Sequence, residues 1–491
     1  MKYTLSKNTI VKKDNNKINI CNAITTNSVN LSGTAKNLLE TLINEDDNKA
    51  IEMLLKLNNN ELEARKTLNS LLYPLINLKL INMDNVIYID NNKINVTTGA
   101  IETTNVCNFR CPHCYVDKAK HKTLTCNKIK NIIDDFYNLG ASNILFTGGE
   151  VLTHPDFKEF YLYAYKKGFI ISVNTNGSLI TNDIINFFKE YPPCSLEISI
   201  YGDNQKTYND FTRSNVLFDN FINTLKELKQ SGINLLCKGV ITNSNKDYYF
   251  NIVKICKELK IPFKKDFIAF PQLDKINKVN PEQISPEEVI EILKEDKLAQ
   301  MDCLKKYSAD LGNHEYVFEC RGDNDALFIN SDSNVNICPC MQSISYKYEE
   351  GNLLNAVLEL KNLGKIKFKK DSKCKTCKYI SLCRYCPAKF ELTTGNYEEP
   401  PIWFCKFGEL MYKNFIEGIK FASDILTNED LDKLNIKANE EILKYIESYT
   451  KIIKIYNSGE FIGFALNNNI YTNEEKEIDS IKEKLALFLN K

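Results

Sequence analysis

Residues 107–115 read Cys107-Asn-Phe-Arg-Cys111-Pro-His-Cys114-Tyr115, and they follow directly on a β-rich run, AIETTNV, at 100–106. Three thiolates on one strand-end loop, separated by three and then two residues, can grip three corners of an iron–sulfur cubane. A [4Fe–4S] cluster normally takes four cysteines. Three leave one iron open to a further ligand, by the logic of an open catalytic zinc position. On the triplet alone, a zinc site of Cys107, Cys111, Cys114 and His113 is the alternative. Outward from this loop, strand and helix patterns alternate to about residue 300. The strand candidates are AIETTNV, NILFTG, FIISVNTN, SLEISIY, LLCKGVIT and FKKDFIAF, with amphipathic stretches such as KIKNIIDDFYNLG and NFFKEY between them. Strand–helix repeats of this kind predict an α/β fold, with a parallel sheet or a partial barrel. Active sites in such folds gather at the C-terminal ends of the strands.

The whole chain has 491 residues, with 63 basic and 63 acidic side chains and 43% hydrophobic residues. That balance excludes a disordered chain and a polyanion binder, which needs concentrated positive charge. No nucleic acid partner is expected. No run approaches the ~20 apolar residues of a membrane span, and MKYTLSKNTIVKK lacks the apolar stretch of a signal peptide. The expectation is therefore a cytoplasmic protein with no membrane partner. Disulfides are rare in that compartment, yet the chain holds 17 cysteines. Many thiols in a reducing compartment point to metal or iron–sulfur ligation.

Residues 1–96 hold no cysteine cluster. A hairpin is expected over Asn8–Ile20, broken at Asp14-Asn15-Asn16. Ser32 caps a helical pattern, and helices follow from Lys49 to Leu57 and from Glu61 to Leu72, the second stopped by Pro74. A strand pair, VIYID and INVTT, closes the unit. Strands around three helices resemble a small winged-helix module. Its 12 basic and 10 acidic side chains over residues 1–95 do not suit a DNA reader.

The second predicted barrel strand ends in Thr147-Gly148-Gly149-Glu150. Adjacent glycines let backbone approach a ligand closely, and Glu150 offers an acceptor to an ammonium. With this segment one strand after the cysteine triplet, residues 98–300 resemble the radical S-adenosylmethionine (SAM) superfamily. The resemblance implies a partial (β/α)6 TIM-like barrel in which the open iron chelates SAM through its amino and carboxylate groups. It implies that Thr147, Gly148, Gly149 and Glu150 contact the amino group and that Tyr115 lies near the adenine. One-electron reduction then yields a 5′-deoxyadenosyl radical that takes a hydrogen from the substrate. Asn174 and Asn176, in Asn174-Thr175-Asn176-Gly177, resemble the family's third strand end. Ser199 and Arg213 stand where relatives contact SAM ribose and carboxylate. The chain has only five arginines, and a guanidinium suits a carboxylate through two parallel hydrogen bonds. His154 is expected to cap or pack near the second barrel helix.

Downstream lie Cys320, Cys338, Cys340, Cys374, Cys377, Cys383, Cys386 and Cys405. The run Cys374-x2-Cys377-x5-Cys383-x2-Cys386 with Cys405 resembles the SPASM domain, an auxiliary-cluster module of radical SAM enzymes that act on peptides. Ser333 replaces a glycine of that pattern, the last spacing is one residue short, and Cys340 is additional. By resemblance, Cys374, Cys377, Cys383 and Cys405 bind a distal cluster. Cys320, Cys338 and Cys386 bind a proximal one, whose fourth ligand is left open among Cys340, Cys303, His314 and a substrate thiolate. Three [4Fe–4S] clusters and SAM are the implied cofactors, and a pair of zinc sites is the alternative.

The expected layout is a winged-helix-like peptide recognition domain (1–96), the radical SAM partial barrel (97–300), a SPASM domain (301–410) and a helix-rich, Lys/Glu-rich extension (411–491) with a strand pair around YNSGEFIGFALNN. Together these resemble maturases of ribosomally made peptides. The resemblance implies an oxidoreductase that binds a precursor peptide by its leader, as an added strand, and forms Cys sulfur-to-carbon thioether (sactionine-type) cross-links. A flavodoxin or ferredoxin would supply electrons. Carbon–carbon cross-linking, sulfatase-type formylglycine formation and, from another class, a zinc-binding regulatory protein are the alternatives. No general base stands out in the sequence.

Overall fold

A computed structural model describes residues 3–422 apart from 6–8, 14–16, 23–27, 59, 78–79, 84–95, 117–120, 274–278, 310–313 and 319–325, together with 452–457, 460–466 and 469–472. Strand β1 (Tyr3–Leu5) pairs with β5 (Ile81–Met83) at the far end of the N-terminal segment. Between them, β2 (Thr9–Lys13), β3 (Lys17–Asn22) and β4 (Ser28–Ser32) form an antiparallel sheet with β3 central. Val11 faces Ile20, and Ile18 faces Leu31. The predicted hairpin is therefore present. Three helices follow, α1 (Gly33–Asn44), α2 (Asp47–Asn58) and α3 (Glu61–Asn77). Their apolar positions recur every three or four residues, and Leu38, Leu42, Ile51, Leu54, Leu68 and Leu72 bury against Ile18 and Ile20. Pro74 does not stop α3, which runs on to Asn77 and buries Leu75. The VIYID run lies outside the described residues.

The barrel strands are β6 (Thr98–Glu102), β7 (Asn143–Thr147), β8 (Ile170–Thr175), β9 (Ser195–Ser199), β10 (Leu235–Val240) and β11 (Phe263–Asp266). All six expected strands are present and pair in parallel, each with the next in sequence. Helix α4 (Cys126–Asn138) follows β6, α5 (Phe157–Lys166) follows β7, and α6 (Asn182–Glu190) follows β8. Then α7 (Gln205–Thr212) and α8 (Phe218–Gln230) follow β9, and α9 (Tyr249–Glu258) follows β10. Helix α4 shows why these helices form. Thr125 caps it by accepting from the Lys128 N–H, and Ile129, Ile132, Ile133 and Phe136 form its buried stripe. Phe136 packs on Gly99, where a Cβ would lie 2.5 Å from the ring.

The chain divides into two compact units, and the division departs from the expected boundary at 300/301. Residues 284–317, with α10 (Pro286–Lys294) and α11 (Lys297–Ala309), belong to the second unit. Residues 318–366 belong with the barrel. There β12 (Ala326–Ile329) pairs in parallel with β6, and β13 (Asn334–Asn336) and β14 (Ser345–Lys347) extend the sheet to nine strands. Two buried carboxylates fasten this extension. Glu102 accepts from the Ser331 N–H and Oγ, both at 2.8 Å, and Asp135 on α4 accepts from Tyr348 Oη at 2.7 Å. Helix α12 (Leu353–Lys361) completes the unit.

In the second unit, α13 (Pro387–Thr394) and α14 (Ile402–Phe415) frame the late cysteines. Trp403 stacks on Phe407 and donates to the Ile284 carbonyl at 2.7 Å. Strands β15 (Ile419–Ala422), β16 (Ile452–Asn457), β17 (Glu460–Leu466) and β18 (Asn469–Thr472) form an antiparallel sheet. The strand pair expected around YNSGEFIGFALNN is present as β16 and β17. Beyond the last turns of α14, the described residues of 411–491 are strands, and the Lys/Glu-rich stretches lie outside the description. Among the described residues no helix is long and apolar enough to cross a membrane.

Candidate active site

The cysteine loop leaves β6 and is pinned from three sides. The Arg110 N–H donates to the Thr212 carbonyl at the end of α7 (2.9 Å), the Cys114 N–H donates to the Cys111 carbonyl (3.3 Å), and the Leu273 N–H donates to the Tyr115 carbonyl (2.9 Å). Cys107, Cys111 and Cys114 all lie close enough to Tyr201 to act on its hydroxyl. Burial, then Cys111, pushes that phenol up, and a hydrogen bond with Ser199 opposes the shift. The three thiols therefore gather over the end of β9. Cys107 Sγ accepts from the Phe109 N–H (3.4 Å) and from Asn176 Nδ2 (3.9 Å), while burial raises its thiol to about 11. His113 lies in the same aromatic nest, 5.0 Å from the Tyr201 ring and 5.2 Å from Phe211.

The Gly148-Gly149-Glu150 segment does more for the protein's own backbone than its sequence suggests. A Cβ on Gly148 would lie 2.4 Å from the Thr104 carbonyl oxygen, and one on Gly149 would lie 2.5 Å from that of Val106. The Gly149 and Glu150 N–H groups donate to Thr104 and Val106, both at 2.8 Å. The glycines thus let this turn press against the strand leading into the cysteine loop. The buried Glu150 carboxylate accepts from Thr175 Oγ1 (2.6 Å), the Asn176 N–H (2.6 Å) and the Leu152 N–H (3.0 Å). Burial raises its pKa and these three donors lower it. Glu150 therefore ties the second strand end to the third. Asn174, pointing the other way, accepts from Lys238 at 3.4 Å, and Lys238 also meets the Glu197 carboxylate. Burial and Lys264 favour the neutral amine at Lys238. The direct Glu197 contact favours the ammonium and decides it.

Thr147 ends β7 and takes the Thr103 N–H at 3.0 Å. Arg213 is the αL cap of α7 (φ 52°) with an exposed side chain, one residue past the Thr212 carbonyl that holds Arg110. His154 is structural, as expected from the sequence. It is buried, with Nε2 2.8 Å from the Leu124 carbonyl and Nδ1 accepting from the Asp156 N–H at 3.1 Å.

Residues 101–259 match the Radical SAM superfamily model. The chain carries a radical SAM domain. It is 24% identical to an AdoMet-dependent heme synthase of Methanosarcina barkeri, over 62% of this chain and 94% of that protein. It is 29% identical to the antilisterial bacteriocin subtilosin biosynthesis protein AlbA of Bacillus subtilis, over 28% of this chain and 31% of that protein. Among solved structures, Streptococcus suis SuiB bound to precursor peptide SuiA superposes with a TM-score of 0.52 at 15% identity, covering 82% of this chain and all of that one. That likeness concerns the fold.

The radical SAM family implies a [4Fe–4S] cluster and SAM, and the residues at the loop fit them. Among the described residues no group of three or more His, Cys, Asp or Glu side chains is placed to hold a single metal ion. Mononuclear zinc draws its thiolates to ~2.3 Å from one point. Cys107, Cys111 and Cys114, three thiols of one loop, are the donor set of a [4Fe–4S] cluster with one corner left open.

The later cysteines separate. In the second unit, Cys374, Cys377, Cys383 and Cys405 lie within electrostatic reach of one another. Burial, then Cys405, raises Cys374 to about 12, and burial, then Cys377, raises Cys383 further. Gly408 makes room for this, since a Cβ there would lie 2.7 Å from Cys383 Cβ. Cys386 opens α13 as its N-cap. Cys338 and Cys340 belong to the barrel unit, where they reach the half-buried Tyr115. Cys320 lies outside the described residues. Ser333 adopts φ 62°, the left-handed region that glycine occupies at least cost. Sequence reasoning missed Tyr201, Lys238 and Glu197. Tyr201, two residues past a strand end already singled out, carried the clearest signal.

Proposed function

We propose that this protein is a radical SAM enzyme that modifies a ribosomally made precursor peptide and forms Cys sulfur-to-carbon thioether cross-links. The observation that carries the reading is the pair of cysteine groups, Cys107/Cys111/Cys114 at the strand ends and Cys374/Cys377/Cys383/Cys405 in the second unit. A cluster with an open corner and a further all-cysteine cluster suit a two-electron oxidation whose second electron must leave the substrate. The triplet would hold the first cluster. Thr147, Ser199, Asn174 and Arg213 are the SAM-facing candidates, with Arg213 available to a carboxylate. Glu150 and Asn176 position the strand end and the Cys107 sulfur, and Tyr115 walls the loop. When bound, the cluster and SAM supply a primary radical that takes a hydrogen atom from a peptide carbon. Cys374, Cys377, Cys383 and Cys405 would hold a distal cluster. For the thioether, the peptide's S–H proton passes to solvent, a carbon–hydrogen bond becomes a carbon–sulfur bond, and two hydrogens are lost per link.

The N-terminal sheet supports a leader-binding role. Among the described strands β2 and β4 each pair on one side only, which offers an edge for strand addition by a peptide. An electron donor such as a flavodoxin or ferredoxin completes the scheme.

The test is mass spectrometry of a Cys-containing peptide encoded beside this gene, co-expressed anaerobically with the enzyme. The expected result is a mass lowered by ~2 hydrogens per link. An unchanged peptide, while 5′-deoxyadenosine is formed, contradicts the peptide substrate but leaves the SAM chemistry standing. The extent of the heme synthase match gives a second reading, a porphyrin substrate, tested by supplying an iron porphyrin in the same assay.

A further inference from the structure

We infer that Tyr208 is the hydrogen-bond donor that tunes the reduction potential of the cluster carried by the Cys107–Cys111–Cys114 loop. The inference rests on the radical SAM reading of that loop and concerns a residue that its sequence motifs do not include. Tyr208 lies on α7 with none of its surface exposed. Its ring packs 5.0 Å from Phe221 and 5.4 Å from Phe218, with Phe109 of the cysteine loop edge-on at 6.2 Å. Its hydroxyl oxygen is buried and has no hydrogen-bond partner.

A phenol in that condition is costly, and proteins leave few such groups unpaired. Elsewhere in this chain the expense is avoided. Tyr161 donates to the Tyr191 carbonyl (2.8 Å), Tyr163 to Asp134 (2.8 Å), Tyr348 to Asp135 (2.7 Å) and Tyr385 to the Val317 carbonyl (3.0 Å). Among the described residues, Tyr208 alone of the tyrosines has a buried hydroxyl without a partner.

Its surroundings identify the missing acceptor. The groups that act on the hydroxyl are Cys111, then Tyr201 and Glu150. None of the three lies within hydrogen-bonding distance of the hydroxyl, and of them only Cys111 would carry further acceptor atoms, the cluster sulfurs. A sulfur at the Cys111 side of the cluster remains. The phenol is also held there. A Cβ on Gly202 would lie 2.3 Å from the Tyr208 nitrogen, so the start of α7 is pressed onto the β9 turn, and the Arg110–Thr212 hydrogen bond ties its end to the cysteine loop. On the other side, Cys107 takes its donors from Phe109 and Asn176. An O–H donor to a cluster sulfur stabilises the more negative, reduced state and raises the potential.

The experiment compares the reconstituted full chain with Tyr208→Phe, which keeps the ring packing, and with Tyr161→Phe, whose phenol lies outside the site. Iron and sulfide content, redox titration followed by electron paramagnetic resonance, and exchangeable-proton coupling in D2O are measured. The SAM-induced change in the resonance identifies the cluster concerned. Tyr208→Phe should keep its iron and its response to SAM and lose an exchangeable proton. At fixed potential its reduced fraction should fall about tenfold, ~59 mV for a one-electron couple. 5′-Deoxyadenosine formation should fall by the same factor and recover with a stronger reductant. Tyr161→Phe should match wild type. An unmoved midpoint with iron intact, or loss of iron instead of a shift, overturns the inference. A wild-type chain that takes up no SAM-responsive cluster overturns the radical SAM reading with it.

Discussion

Ser333 holds a backbone conformation that suits glycine, φ 62° in the turn between β12 and β13, where it donates to the Asn330 carbonyl and accepts from Tyr348. A non-glycine residue in that region costs ~1–2 kcal/mol. Ser333→Gly should therefore stabilise the protein by up to ~1 kcal/mol, seen as a higher Tm with unchanged iron content. Glu102 makes a second prediction. Burial raises its carboxyl above the ordinary 4.5, against the pull of the two Ser331 donors. A raised folded-state pKa gives stability that is complete at acid pH and is lost as pH climbs through the folded value. Glu102→Gln keeps the acceptor and has no proton to lose, so it should lose less stability than wild type between pH 4 and pH 8. Parallel melting curves for the two proteins across that range would contradict this. At this scale the sequence was legible where chemistry is local. Three thiols on one loop need no tertiary knowledge. Tyr208 and Glu102 were not legible, because an unpaired hydroxyl and a carboxylate facing Ser331 are defined by residues far away in the chain.

Among elements, the turn after β7 shows how one motif carries two demands. Gly149→Ala would push a methyl to 2.5 Å from the Val106 oxygen and 2.6 Å from the Asn105 oxygen. Backbone cannot yield as a side-chain tip does, so the expected penalty is ~1–3 kcal/mol, together with poorer iron retention at the neighbouring loop. Chemical denaturation and iron analysis check both. All six barrel strands could be read from the sequence because β-branched runs alternate with amphipathic helices. The helix end at Pro74 was misplaced for a tertiary reason. Burial of Leu75 carries α3 past a residue that local propensity treats as a stop.

For the molecule as a whole, cysteine bookkeeping becomes iron bookkeeping. The full protein should hold ~12 irons, and replacing Cys374 and Cys383 by Ala should remove ~4 while SAM is still cleaved. Removing Cys107, Cys111 and Cys114 should remove as many and abolish 5′-deoxyadenosine. Equal loss of cleavage in both variants would contradict the division of labour. The boundary near residue 300 was misjudged because nothing local marks β12 as a partner of β6, more than two hundred residues upstream. That pairing has a practical consequence. A chain cut after residue 300 would strip β6 of its neighbour and leave a rim of unsatisfied amides and carbonyls beside the cysteine loop. Such a fragment should cure its open rim by zipping onto a second fragment. Light scattering would then report dimers and larger aggregates from a sequence that looks, on paper, like a self-sufficient barrel.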